Sequence, residues 1–218
     1  MKNLQKMGGI AALYQAAAYL LGMAGYILVL DTLSAVAPVQ KVALLMDNQA
    51  FLYISNLFVY VVAGVFLVVL ALALYERLKA GSPAMVQTAT AFGLIWAGVV
   101  IAAGMVFNIG LGTVVDLYGK DPAQAATVWL AINSVYDGLE GGNVIFGGLW
   151  TLLVSWAALR AGGLPKALNY FGVVIGVAGL LAVIPALEVL MFVFGPGGIV
   201  WFVWLGIVML RGSPSASA

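Results

Sequence analysis

Residues 51–75 read FLYISNLFVYVVAGVFLVVLALALY, 25 residues in succession without one charged side chain. Crossing the hydrocarbon of a bilayer takes about 20 apolar residues, with every backbone polar group satisfied inside a helix or a closed barrel. Barrel strands would show short segments alternating polar and apolar residues. This run is long and continuous, so it reads as a membrane-spanning helix.

Five more runs of the same kind lie on either side. The spans are expected at about 10–30, 51–75, 85–111, 141–159, 167–191 and 197–210, with the start of the fourth falling between Trp129 and Asn143. The fold class is thus all-α, a single polytopic membrane domain of six helices over residues 1–218. Ser82-Pro83 and Asp121-Pro122-Ala123-Gln124 read as N-caps followed by proline in the first helical turn. Gly195-Pro196-Gly197-Gly198 reads as a tight turn. In 38–47, Val39, Val42, Ala43 and Met46 share a helical face, which suggests a short interfacial helix. Lys2 and Lys6 precede a run too long for a signal peptide and lacking its cleavage site, so the first helix is expected to be retained.

Composition agrees. Apolar residues make up 64% of the chain and charged residues 8%, against about 25% charged in soluble domains. Mean hydropathy is +1.12. A water-soluble enzyme is excluded, and a net charge of +1 offers nucleic acid no basic face. Without Cys there are no disulfides, thiolates or iron–sulfur ligands; without His the commonest haem ligand and proton shuttle are missing. No lysine lies within a span to carry retinal, and no arginine ladder is present to sense voltage. Neither a P-loop nor HExxH occurs. No catalytic residue, metal ligand set or cofactor is assigned.

Charge sets the orientation. With six spans, Lys2, Lys6, Arg77, Lys79, Arg160, Lys166 and Arg211 share one side, leaving Lys41 and Lys120 on the other. By the positive-inside rule both termini are expected in the cytoplasm, in a cell inner membrane. The carboxylates segregate oppositely. Glu140 precedes Arg160 by 20 residues, placing it about 30 Å away at the outer edge of the hydrocarbon. Asn56 stands at the same height relative to Glu76, and Glu188 lies near it relative to Lys166. Asp31, Asn108, Asp47, Asp116, Asp121 and Asp137 are also on the outer side.

The densest polar cluster is residues 133–143, reading NSVYDGLEGGN. Helical spacing puts Asn133, Asp137 and Glu140 on one face. Two carboxylates three residues apart repel, and no Arg lies on this side to pair with them. A bound cation or protonation of Glu140 would relieve the repulsion; a solvated helix end, or a break at Gly141-Gly142, is the plainer alternative. Glu188, three residues after Pro185, could close a pocket beside a proline kink, or could simply sit at the helix mouth. Candidate ligand-binding residues are therefore Asp137, Glu140, Asn143, Glu188, Asn56 and Asn108.

Small residues recur at four-residue spacing in Gly8/Ala12/Ala16, Gly93/Ala97, Gly138/Gly142 and Gly172/Gly176, as close helix packing in lipid requires. Trp129, Trp150, Trp156, Trp201 and Trp204 read as interfacial anchors or core fillers.

The C-terminal third carries a resemblance. Gly147-Gly148-Leu149-Trp150, then Leu164-Pro165-Lys166, then Gly172, Gly176 and Gly179, then Trp201 to Arg211, is similar to a bacterial family of small six-helix membrane proteins catalogued only as a domain of unknown function. The similarity covers mainly residues 144–211 and implies a six-span inner-membrane protein, with no catalytic or binding residues to carry over. Three readings follow. First is a structural or accessory protein holding a membrane-protein partner or a second copy of itself. Second is a small permease or binding protein for a cation or apolar solute, with its pocket near the outer leaflet. Third is a lipid-acting enzyme using Asp137 and Glu140 as an acid/base pair. The expected surroundings are the lipid bilayer, and no nucleic acid is expected.

Overall fold

The computed structural model describes residues 2–25 and 37–211, and among these every regular element is helical. They are α1 (Lys2–Gly25), α2 (Pro38–Asp47), α3 (Gln49–Leu78), α4 (Pro83–Tyr118), α5 (Pro122–Ala161), α6 (Lys166–Ala182) and α7 (Met191–Leu210). Asn3–Gly25, Gln49–Leu78, Pro83–Tyr118, Pro122–Ala161 and Pro185–Leu210 are long and apolar enough to cross a membrane, and Lys166–Ala182 is a shorter apolar helix. The chain is a polytopic all-α membrane protein.

These six helices, all but α2, form a closed ring in which α1 packs on α3, α3 on α4, and so on to α7, which returns to α1. Two close approaches tie it. A Cβ on Gly148 would stand 2.9 Å from the Gly176 carbonyl oxygen, and one on Gly176 would stand 2.8 Å from that of Gly148. Gly9 and Gly206 make the matching contact between α1 and α7. Only residues without a side chain allow backbones this near. Gly176 thus packs as its spacing with Gly172 suggests, whereas Gly138 meets nothing within 4 Å.

Aromatic residues fill the middle of the ring. Trp96 and Trp150 have ring centroids 5.5 Å apart, Trp150 and Trp201 5.8 Å, and Trp201 and Phe202 5.3 Å. All four are buried. They plug the bundle between its two ends.

Several boundaries differ from the sequence reading, each for a physical reason. The fourth span, expected at 141–159, belongs to one unbroken helix of 40 residues, and Gly141-Gly142 does not interrupt it. Asp121 caps its start, accepting hydrogen bonds from the Ala123 and Gln124 N–H groups at 3.0 Å each. At 1.5 Å per residue α5 is about 60 Å long, twice the thickness of the hydrocarbon. The third span, expected at 85–111, runs from Pro83 to Tyr118. The fifth, expected at 167–191, ends at Ala182, because Ile184 precedes proline and takes an extended backbone (φ −81°, ψ 121°). A 3-10 helix, Pro185–Leu190, follows. The turn expected at Gly195–Gly198 does not form; α7 begins at Met191 and passes through Pro196. The first helix starts earlier than expected, and the rest of its expected range, with Asp31, lies outside the described residues.

The protruding ends of α4 and α5 receive α2. Its buried residues are Val42 and Leu45, packed with Phe107, Leu111, Val114, Ala125 and Trp129 in a second small core. Val39 is exposed. The short helix expected at 38–47 forms, and it packs on the bundle as a cap through contacts with α4 and α5.

Candidate functional site

α3 departs from α-helical geometry at the height of this cap. Residues Leu57–Val62 form a π-helical stretch. Its ends are held from α1: the Tyr14 hydroxyl donates to the Phe58 carbonyl at 2.9 Å, and Gln15 Nε2 donates to the Ala63 carbonyl at 2.7 Å. Wide π turns of this kind often mark functional positions. Here Asn56 and Tyr60, just before and within the stretch, both line a cavity.

That cavity has a volume of about 510 Å³, within the usual range for small-ligand sites. It lies at the end of the ring opposite the described termini. Leu21, Gly22 and Gly25 of α1, Lys41 of α2, Phe51 to Tyr60 of α3, Phe107 of α4 and Trp129 to Glu140 of α5 surround it.

Three of the six candidate residues line it directly. Asn56 is buried; its Nδ2 donates to Asn108 Oδ1 at 3.1 Å and to the Gly104 carbonyl at 3.4 Å. Asp137 is exposed and accepts from Asn133 Nδ2 at 2.8 Å. Glu140 sits one turn deeper, with Oε2 accepting from Asn143 Nδ2 at 3.5 Å. Its other oxygen, Oε1, is buried with no hydrogen-bond partner, as is Asn56 Oδ1.

Two more candidates support this site from behind. Asn143 accepts a hydrogen bond from the Trp96 indole N–H, joining Glu140 to the aromatic plug. Asn108 donates to the Tyr53 carbonyl at 3.3 Å and, with Asn56, fastens α3 to α4. Glu188 stands apart. It is exposed on the 3-10 helix and does not line the cavity, because Pro185 follows the end of α6 rather than kinking a continuous helix.

Sequence reasoning passed over the aromatic side of the site. Tyr60 and Tyr136 share a hydroxyl–hydroxyl hydrogen bond of 2.6 Å, and Phe107 and Trp129 continue the wall. A signal was present: Tyr60 is four residues after Asn56 and Tyr136 four before Glu140, one helical turn in each case. Lys41 was also missed, since α2 reads as a lipid-facing helix until its packing partners are known.

Chemically, the cavity presents two carboxylates, one lysine and a wall of aromatic rings. Among the described residues no group of three Asp, Glu, His or Cys side chains could hold a metal ion. Asp137 and Glu140 do line one cavity, yet they stand in different environments, one exposed and one half-buried beside Asn143.

Fold and cavity together define a helical-ring membrane protein with an acidic, aromatic-walled cavity at one end. The chain belongs to the family described as Domain of unknown function (DUF4386), whose model matches residues 10–208. The resemblance seen over 144–211 therefore extends over most of the chain. No curated protein and no solved structure matches it.

Proposed function

We propose that the protein binds a small cationic solute in this cavity, the second of the three readings drawn from sequence. One observation carries it: Glu140 lines a 510 Å³ space and forms no ion pair among the described residues. Holding an ionised carboxylate partly away from water without a counter-charge is costly. A cationic occupant removes that cost. An accessory role would require only a packed bundle, and it gives the cavity no purpose.

We also place the chain in a bacterial cytoplasmic membrane with its termini inside. The support is the seven basic residues that six spans bring to the same side as the termini. The cavity then faces outward, and the tryptophan plug below it favours binding over free conduction.

Native mass spectrometry of protein extracted in mild detergent tests the reading. The wild type is expected to retain a small-molecule mass that Glu140→Gln loses. Bare protein in both samples, or a stoichiometric protein partner with no small molecule, would overturn it in favour of the accessory role.

A further inference from the structure

Resting on that binding reading, we infer that the occupant is a protonated primary amine carrying an apolar body, rather than an inorganic ion or a neutral solute. Three independent features of the cavity converge on this class.

The first is hydrogen-bond demand. Glu140 lines the cavity with Asn143 at 3.5 Å and the Tyr60 hydroxyl close by, and forms no ion pair among the described residues. An ionised carboxylate accepts and cannot donate, so its complement is a charged donor with several N–H bonds. An ammonium supplies three, and charge strengthens each. A quaternary ammonium has none.

The second is the wall. Trp129, Phe107, Tyr136 and Tyr60 form an unbroken chain of rings, with successive centroids 5.6, 5.5 and 6.2 Å apart. All four line the cavity. Ring faces attract organic cations and also accept apolar surface, which a hydrated metal ion does not offer.

The third is charge. Asp137 and Glu140 contribute two negative charges and Lys41 one positive, so the lining carries a single net negative charge with both acids ionised. No ion pair joins Lys41 to either acid among the described residues. One monocation balances the site. The cavity is also far larger than a bare ion needs, at about 510 Å³.

Calorimetric titration of the full chain in lipid nanodiscs tests this, using cyclohexylamine at neutral pH, cyclohexanol as its neutral counterpart of similar shape, and sodium chloride. Cyclohexylammonium is expected to bind about ten-fold more tightly than cyclohexanol, with sodium failing to compete at equal concentration. Glu140→Gln should abolish the preference for the amine. Lys41→Met, on the partly exposed cap, should raise amine affinity by removing a like charge, a gain that misfolding cannot imitate. Equal affinity for amine and alcohol, competition by sodium, or an unchanged preference in Glu140→Gln would each overturn the amine inference. Absence of binding by either organic probe would overturn it too. The broader binding reading is judged separately, by whether the extracted protein retains a small-molecule mass.

Discussion

Asn143 of α5 accepts the indole N–H of Trp96 of α4, and in doing so ties the floor of the cavity to the aromatic plug beneath it. The same carboxamide donates to Glu140 at 3.5 Å. One side chain thus joins the charged site to the rigid centre of the ring.

Asn143→Leu should therefore cost more than its size suggests. It strands the Trp96 N–H in a buried setting, a loss of about 1–3 kcal/mol, and leaves Glu140 less fixed. Equilibrium unfolding in mixed micelles is expected to show the loss, with weakened ligand retention. Unchanged stability would mean that the hydrogen bond is not formed in the membrane.

The contact between Gly148 and Gly176 sets a second expectation. Gly176→Leu drives a side chain into the α5 backbone and should destabilise the ring by about 1–3 kcal/mol or more. Gly112→Ala is the control, because nothing lies within 4 Å of its Cβ position. Alanine there removes glycine's helical penalty, so stability should hold or rise. Equal effects of both changes would argue against the close approach of α5 and α6.

Removing the cap of α5 should act locally. Asp121→Ala leaves the Ala123 and Gln124 N–H groups without their side-chain acceptor, at a cost of about 1 kcal/mol. Hydrogen exchange is expected to quicken in the first turns after residue 122, where α5 packs on α2, and to stay unchanged around Trp150. Spread of the effect through the whole ring would show that the cap and the membrane bundle unfold together.

Because the chain has no cysteine, orientation can be read from single introduced thiols. Lys79→Cys is expected to react with an impermeant maleimide only in inside-out vesicles, and Lys120→Cys only in intact spheroplasts. The reverse pattern would invert the topology and turn the cavity toward the cytoplasm.

Much of the architecture was legible from residues alone. Long apolar runs announced membrane helices, and the Asp121-Pro122 cap marked the true start of α5. What misled was the bilayer as a ruler. It places the start of the fourth span near residue 141, whereas α5 begins more than five turns earlier, at Pro122, where Ala125 and Trp129 pack on α2 and α4. Hydropathy registers lipid, not the neighbouring helix that can replace it. Nor does hydropathy reveal that Val42 and Leu45 of α2 pack on α4 and α5.

The site was legible in part. Helical spacing on α5 was enough to group Asn133, Asp137 and Glu140, and all three line the cavity. Asn56 could be placed by height but not by direction, since its facing depends on the π-helical stretch after it. That irregularity is held by Tyr14 and Gln15 of a different helix, and no local pattern encodes it. Glu188 shows the opposite failure: a proline three residues earlier suggested a kinked pocket, and it instead marks the end of one helix and the approach to the next.

The ring closes between its first and last helices, where Gly9 meets Gly206 and α7 delivers Trp201 and Phe202 to the centre. Synthesis runs in one direction, so α1 enters the membrane long before its neighbour exists. Until α7 follows, one flank of α1 has only lipid or an insertion chaperone for company, and Trp150 lacks two of its three aromatic neighbours, Trp201 and Phe202. Maturation is therefore decided at the end of translation, and a chain stopped before residue 191 would carry every residue of the cavity's lining yet present quality-control proteases with an open seam.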